Sequence, residues 1–253
     1  MTTAPRSLQT EAVILRHFDL GEADRILALF TPNYGKLRAV AKGVRKLLSR
    51  KAGHLEPLSC SKLLLSRGQD LYIITQAEMI EGYQPLREDL IRFGNASYAV
   101  ELLDRFTFEG GENRSLYRLL KDTLWRLTVM DDFNLIIRYY EIRLLDLLGF
   151  RPQLFRCVGC KSEIRAEDQY FSAEQGGVLC PKCGRDDRNG RPISMSALKF
   201  LRHYQRSSFE DASRASIPSV VQTEMENLMH YYLTHLLERS LNTPSFLRRV
   251  REG

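Results

Sequence analysis

Four of the five cysteines fall in two pairs, Cys157-Val158-Gly159-Cys160 and Cys180-Pro181-Lys182-Cys183, separated by 19 residues. Each C-x-x-C turn lets two sulfurs face one point, and two such turns complete a tetrahedron around zinc with Zn–S distances of about 2.3 Å. Four thiolates close the coordination sphere, whereas a catalytic zinc keeps an open position, so the expected ion is structural. Gly159 and Gly184 are expected to ease the turns, and residues 169–171 and 177–179 read as the short strands of a zinc ribbon. The competing reading is four unliganded or redox-active thiols, which the intact spacing of both pairs disfavours. Structural zinc contributes on the order of 10 kcal/mol, ample to fold a module of about 30 residues that lacks a core of its own. Cys60 is left over.

A second cluster suits a polyanion. Between Gly35 and His54 the chain carries Lys36, Arg38, Lys42, Arg45, Lys46, Arg50 and Lys51 without one acidic residue. Gly43 and Ser49 suit a mobile loop leaving a strand, from which these cations can follow a phosphate backbone. Such a run is often only a solvated face, but its place on a small barrel whose loops grip oligonucleotides favours nucleic-acid binding. Phe18, Tyr34 and Tyr72 are candidates for stacking on bases, and equally for the core. Lysine and arginine outnumber acidic residues 37 to 31, giving a net charge of +6, which favours a polyanionic partner. A weaker candidate group for nucleic-acid or partner contact is Arg248, Arg249 and Arg251.

Enzymatic motifs do not appear. Gly35-Lys36 has no glycine five residues earlier and no hydroxyl residue after the lysine, so there is no P-loop, and no G-x-S-x-G, G-x-G-x-x-G or H-E-x-x-H motif occurs. His54-Leu55-Glu56 spells the H-x-E of zinc deaminases, yet proline follows Cys180 instead of preceding it, and His54 reads as a loop histidine. His17, His203, His230 and His235 form no ligand spacing. The chain is expected not to be an enzyme.

These residues need scaffolds. Residues 11–83 are strand-like, with five apolar runs (AVILRHF, RILALF, LRAVAKGV, SKLLLS and LYIITQAEMI) broken by turn residues such as Pro32 and Gly35. Five short strands in so little chain fit a closed OB-fold barrel, and an SH3-like barrel almost as well. After Pro85 the apolar period becomes helical, with Ser115 as a candidate N-cap, then Asp131 or Asp132, and Gly149 as a C-cap. The expected class is α+β multidomain: an OB-fold domain at 1–83, a helical domain at 84–150 plus 190–253, and a zinc ribbon at 151–189 inserted into it. Residues 186–192 and 207–216 read as flexible. With no signal-peptide core and no run of about 18 apolar residues, the protein is expected to be soluble, cytoplasmic and without a membrane partner.

A basic five-stranded barrel, a helical domain and a four-cysteine ribbon set late within it together resemble the bacterial RecO family of recombination mediators. The residues carrying the likeness are Glu22, Asp24, Thr31, Gly35, Ala41, Gly43, Arg45, Pro57 and Glu78, then the run from Leu144 to Pro152 before the first cysteine pair. The resemblance implies binding of single- and double-stranded DNA, strand annealing, and work with RecR to load RecA onto DNA coated by single-strand-binding protein. It also implies engagement of that coat protein's acidic C-terminal tail by the helical domain, and a nucleoid-associated life. The main competitor is a zinc-ribbon transcription or translation factor whose barrel binds RNA; a second is a metal-dependent nucleic-acid enzyme.

Overall fold

The computed structural model describes residues 7–238, of which 7–130 form one compact unit and 131–238 a second. In the first unit all five apolar runs are strands: β1 (Ser7–Leu20), β2 (Asp24–Thr31), β3 (Gly35–Ala41), β4 (Cys60–Arg67) and β5 (Tyr72–Glu81). They close in the order β1-β2-β3-β5-β4. Every pairing is antiparallel except β3 with β5, a short parallel contact at Ala39 with Tyr72 and Val40 with Ile73. This is the OB-fold order, which settles the choice against an SH3-like barrel. Ile14, Leu27, Leu29, Ala39, Leu63, Leu65 and Ile74 fill its interior.

The outer wall of the barrel is also covered. Val13, Leu15, Ala28 and Phe30 point away from the interior cluster and are still buried, because α2 (Leu90–Phe106) packs on β1 and α3 (Arg114–Val129) on β2. A short α1 (Pro85–Glu88) opens on proline, whose fixed φ suits a first helical turn. Asp89 caps α2, accepting from the N–H groups of Ile91 and Arg92 at 2.8 and 2.9 Å. The cap of α3 is Asn113, not Ser115. Its own N–H is donated to the carbonyl of Pro32 at 3.0 Å, a tertiary tie that holds it outside the helix. His54 ends a single 3-10 turn, and its Nδ1 accepts the N–H of Met79 at 3.2 Å. Cys60 is a core thiol 3.3 Å from the Tyr117 hydroxyl, and burial pushes its pKa up.

The second unit begins with α4 (Phe133–Leu147), capped by Asp132 and followed by Gly149 at φ +82°. The cysteine module contributes β6 (Gln169–Ser172), β7 (Gly177–Leu179), α5 (Pro181–Asp186) and β8 (Arg191–Ile193), with sheet order β7-β6-β8. Then come α6 (Met195–Arg206), α7 (Phe209–Ser213) and α8 (Ser219–Leu237). Two stretches expected to be flexible are therefore built. β8 pairs with β6 through Arg191 with Phe171 and Pro192 with Tyr170, and α7 is capped by Ser208 with Phe209 set edge-on to Tyr139 at 5.2 Å. Their polar composition hides partners supplied from distant segments. Tyr140, Leu144, Leu145, Leu198, Leu201, Tyr204, Leu228 and Leu233 form the centre of this unit. Packing thus divides the helices otherwise than chain continuity does, since α1 to α3 build on the barrel and α4 to α8 build with the cysteine module. Among the described residues no helix is long and apolar enough to cross a membrane.

Candidate metal centre and nucleic-acid interface

The four sulfurs of Cys157, Cys160, Cys180 and Cys183 lie within 4.8 Å of one another. A tetrahedron of thiolates at about 2.3 Å from zinc has edges of roughly 3.8 Å, and the Cys160–Cys180 pair stands at 3.8 Å. Local structure produces this convergence. The first pair sits on a turn in which Lys161 donates its N–H to the carbonyl of Cys157 at 2.9 Å, and Lys161, not a glycine, takes the left-handed conformation at φ +64°. Cys180 is the N-cap of α5 and Cys183 lies on its first turn. The expected role of Gly159 and Gly184 needs correcting: neither has positive φ. They allow close approach, since a Cβ on Gly159 would lie 3.3 Å from the Cys183 sulfur and one on Gly184 would strike the ring of Tyr170.

The sulfurs also compete for charge. Cys160 is drawn down to about 6, first by the hydroxyl and then by the N–H of Ser162. At Cys157 burial opposes the thiolate, but N–H groups of Cys180, Cys160 and Gly159 prevail and the pKa is lowered. Cys183 is pushed up to about 12 by its hydrogen bond with Cys180. Four thiolates this close repel, so a cation is what lets all of them ionise together. Such a soft, closed donor set fits zinc and leaves no position for substrate. Among the described residues no other His, Cys, Asp or Glu group is so arranged.

The seven cations of the barrel are sorted by their neighbours. Lys36, on β3, turns inward: its Nζ lies 2.5 Å from the Asp104 carboxylate and 2.7 Å from the Asp104 carbonyl. Arg38 pairs with Glu109 in the connection between α2 and α3. Arg45 donates to the carbonyl of Gly21 at 3.0 Å and faces Asp19 at 3.4 Å, while Lys51 donates to the carbonyl of Ile74 at 3.1 Å. Lys42, Lys46 and Arg50 are exposed and have no ion-pair partner among the described residues. Phe18 is exposed under the Arg16 guanidinium at 5.0 Å, Tyr34 is exposed at the β2–β3 turn, and Tyr72 packs partly against the barrel core. Arg16 and Arg25, single cations on β1 and β2, are held in ion pairs, Arg16 with Asp104 at 2.9 Å and Arg25 with Asp19 at 3.0 Å. The arginines at 248, 249 and 251 lie outside the described residues.

The second unit carries a groove of about 760 Å³ lined by Phe155, Ile164, Met195, Leu198 and Phe200. Arg202 and Arg206 also line it and stack on the Phe155 ring at 5.1 and 3.7 Å. Burial, and after it the charge of Arg206, lowers the Arg202 pKa. An apolar floor under paired guanidinium groups suits a ligand that is both apolar and anionic.

Comparison with known proteins adds to this geometry. Residues 5–83 match the family described as Recombination protein O N terminal, and residues 87–244 match Recombination protein O C terminal. The chain is 41% identical over 247 residues to DNA repair protein RecO of Roseiflexus sp. (strain RS-1), covering 98% of this chain and 87% of the relative. It is 37% identical over 249 residues to DNA repair protein RecO of Dehalococcoides mccartyi (strain CBDB1), covering 98% of each. With that of Thermoanaerobacter sp. (strain X514) it shares 31% identity over 247 residues, 97% of this chain and 99% of the relative.

Proposed function

The chain belongs to the RecO family of DNA repair proteins, and on that footing we propose that it is a non-enzymatic recombination mediator of the bacterial cytoplasm and nucleoid. It binds single- and double-stranded DNA, anneals complementary strands, and with RecR helps load RecA onto strands coated by single-strand-binding protein. The observation that carries the DNA site is that Lys42, Lys46 and Arg50, on one loop of an OB barrel, are exposed and have no ion-pair partner among the described residues. Each phosphate they neutralise releases counterions, and two strands held on cationic surface repel each other less, which speeds their pairing. Arg38 and Arg45, in exposed ion pairs, exchange a carboxylate for a phosphate at small cost. Lys36 and Lys51 brace the barrel beneath them.

Zinc on Cys157, Cys160, Cys180 and Cys183 supplies cross-linking and no chemistry, and these residues set the fold of module 151–189. The working modules are the barrel at 1–83, the helical domain at 84–150 plus 190–253, whose α1 to α3 pack in the barrel's unit, and this ribbon; family matches that end at 83 and resume at 87 support the first boundary. The groove of Phe155, Arg202 and Arg206 is the place in the helical domain for the coat protein's acidic tail. The test is strand annealing by the purified full chain across a salt series, with the coat protein present and absent, beside matched RNA oligonucleotides. Annealing that is suppressed by salt, works on coated strands and favours DNA supports the reading; a preference for RNA with no annealing overturns it.

A further inference from the structure

Two leucines stand in solvent at the centre of the cationic loop. Leu47 is 105% exposed and Leu48 95%, the highest values for large apolar side chains among the described residues. Scattered exposed apolar residues are ordinary; an adjacent pair with nothing of the described residues against it is not.

The loop that carries them is anchored. Val44 before it and Leu55 after it are both buried in the barrel core. Gly43 donates its N–H to the Asp24 carboxylate at 2.7 Å and Arg45 donates its N–H to the carbonyl of Ala23 at 2.9 Å. The N–H of Ser49 then bonds the carbonyl of Lys46 at 2.9 Å, closing a turn with Leu47 and Leu48 at its two central positions. The backbone is thus held from both sides while the leucines project from the tip.

Charge complementarity decides what covers them. Lys42, Lys46 and Arg50 flank the pair without ion-pair partners among the described residues, and no acidic residue occurs between Asp24 and Glu56. The occupant must offer anionic groups and flat apolar surface together. An unpaired nucleic-acid strand does so, with phosphates at regular spacing and base faces between them, whereas a duplex keeps those faces inside its stack.

We propose that Leu47 and Leu48 form an apolar wedge seated against the bases of an unpaired strand whose phosphates lie on Lys42, Lys46 and Arg50. This rests on the DNA-binding reading above and adds a consequence: the loop discriminates single strands from duplex and keeps bases unstacked, with their pairing edges free.

The experiment compares the full-length protein with its Leu47→Ser/Leu48→Ser variant on a single-stranded oligonucleotide containing 2-aminopurine and on the matching duplex, over a salt series. Since neither side chain is buried, the thermal unfolding midpoint of the variant should equal that of the parent. Single-strand affinity should fall about tenfold, equivalent to about 1.4 kcal/mol, with an unchanged salt slope. Duplex affinity should stay within about twofold, and the rise in 2-aminopurine fluorescence on binding should disappear. If the parent binds single strands and the variant matches it in affinity and fluorescence, the wedge is wrong while the DNA reading stands. An equal loss on duplex would overturn the assignment to unpaired bases. So would binding to phosphatidylglycerol vesicles that the variant loses while keeping its DNA affinity. A parent that binds neither oligonucleotide removes the proposed function itself.

Discussion

Replacing Lys42, Lys46 and Arg50 together by alanine should flatten the salt dependence of single-strand binding by about two units of logarithmic slope. Each phosphate neutralised on a single strand contributes about 0.7 to that slope, so three cations contribute about 2. Between roughly 50 and 200 mM salt the parent should therefore lose on the order of 20-fold more affinity than the variant. Lys36 is the internal control, although it belongs to the same run of sequence. Its side chain is 14% exposed and its ammonium is held by Asp104, so Lys36→Met should leave the slope unchanged. It should instead cost stability, about 1–2 kcal/mol, since Asp104 retains Arg16 at 2.9 Å and is not left uncompensated. Fluorescence anisotropy of a labelled oligonucleotide in a sodium chloride series gives the slopes, and urea unfolding gives the stabilities. An unchanged slope in the triple variant, or an equal flattening in Lys36→Met, would refute the division of these cations into free and committed sets.

Elemental analysis of the purified protein should find one zinc per chain, and chelation or Cys157→Ser should remove the about 10 kcal/mol that folds the 151–189 module and so unfold it outright, read as the loss of its part of the thermal transition; a transition unchanged by chelation would refute the structural role. Gly184→Ala should destabilise the same unit by about 1–3 kcal/mol and weaken metal retention, because its Cβ meets the Tyr170 ring; a variant with parental zinc content and stability would count against that packing. Asp89→Ala removes the acceptor of two N–H groups at the start of α2 and should cost about 1 kcal/mol in urea unfolding. Burial raises the pKa of Cys60, Tyr83 and Tyr117, so the folded form keeps protons that the unfolded chain releases. Stability should then be full below the thiol's ordinary 9.0 and decline as pH rises above it, more weakly in Cys60→Ala.

Much of the architecture is legible in the chain because its signals are local. Turn residues between apolar runs mark every strand of the barrel, and the spacing of four cysteines marks the metal centre before any fold is known. Gly149 is read correctly as a helix end, and the cap of α4 is narrowed to Asp131 or Asp132, of which Asp132 caps it, because capping is settled within one turn. Ser115 is misread for the opposite reason: a carbonyl at Pro32, far off in sequence, holds Asn113 in the capping conformation. β8 and α7 lie in polar text whose partners, Tyr170 and Phe171 for β8 and Tyr139 for α7, come from other segments, so composition alone suggests flexibility.

The candidate DNA surface divides along the same line. Sequence determined that seven cations stand together near the third strand and that four thiols share a point, since charge and spacing are properties of the chain itself. Tertiary structure decided which cations are free, because Asp104, Glu109 and Asp19 reach Lys36, Arg38 and Arg45 only once the barrel and its helices have packed. It also decided that Leu47 and Leu48, on the loop between Gly43 and Ser49, stand in water: exposure depends on what arrives from elsewhere in the fold, and among the described residues nothing packs on them.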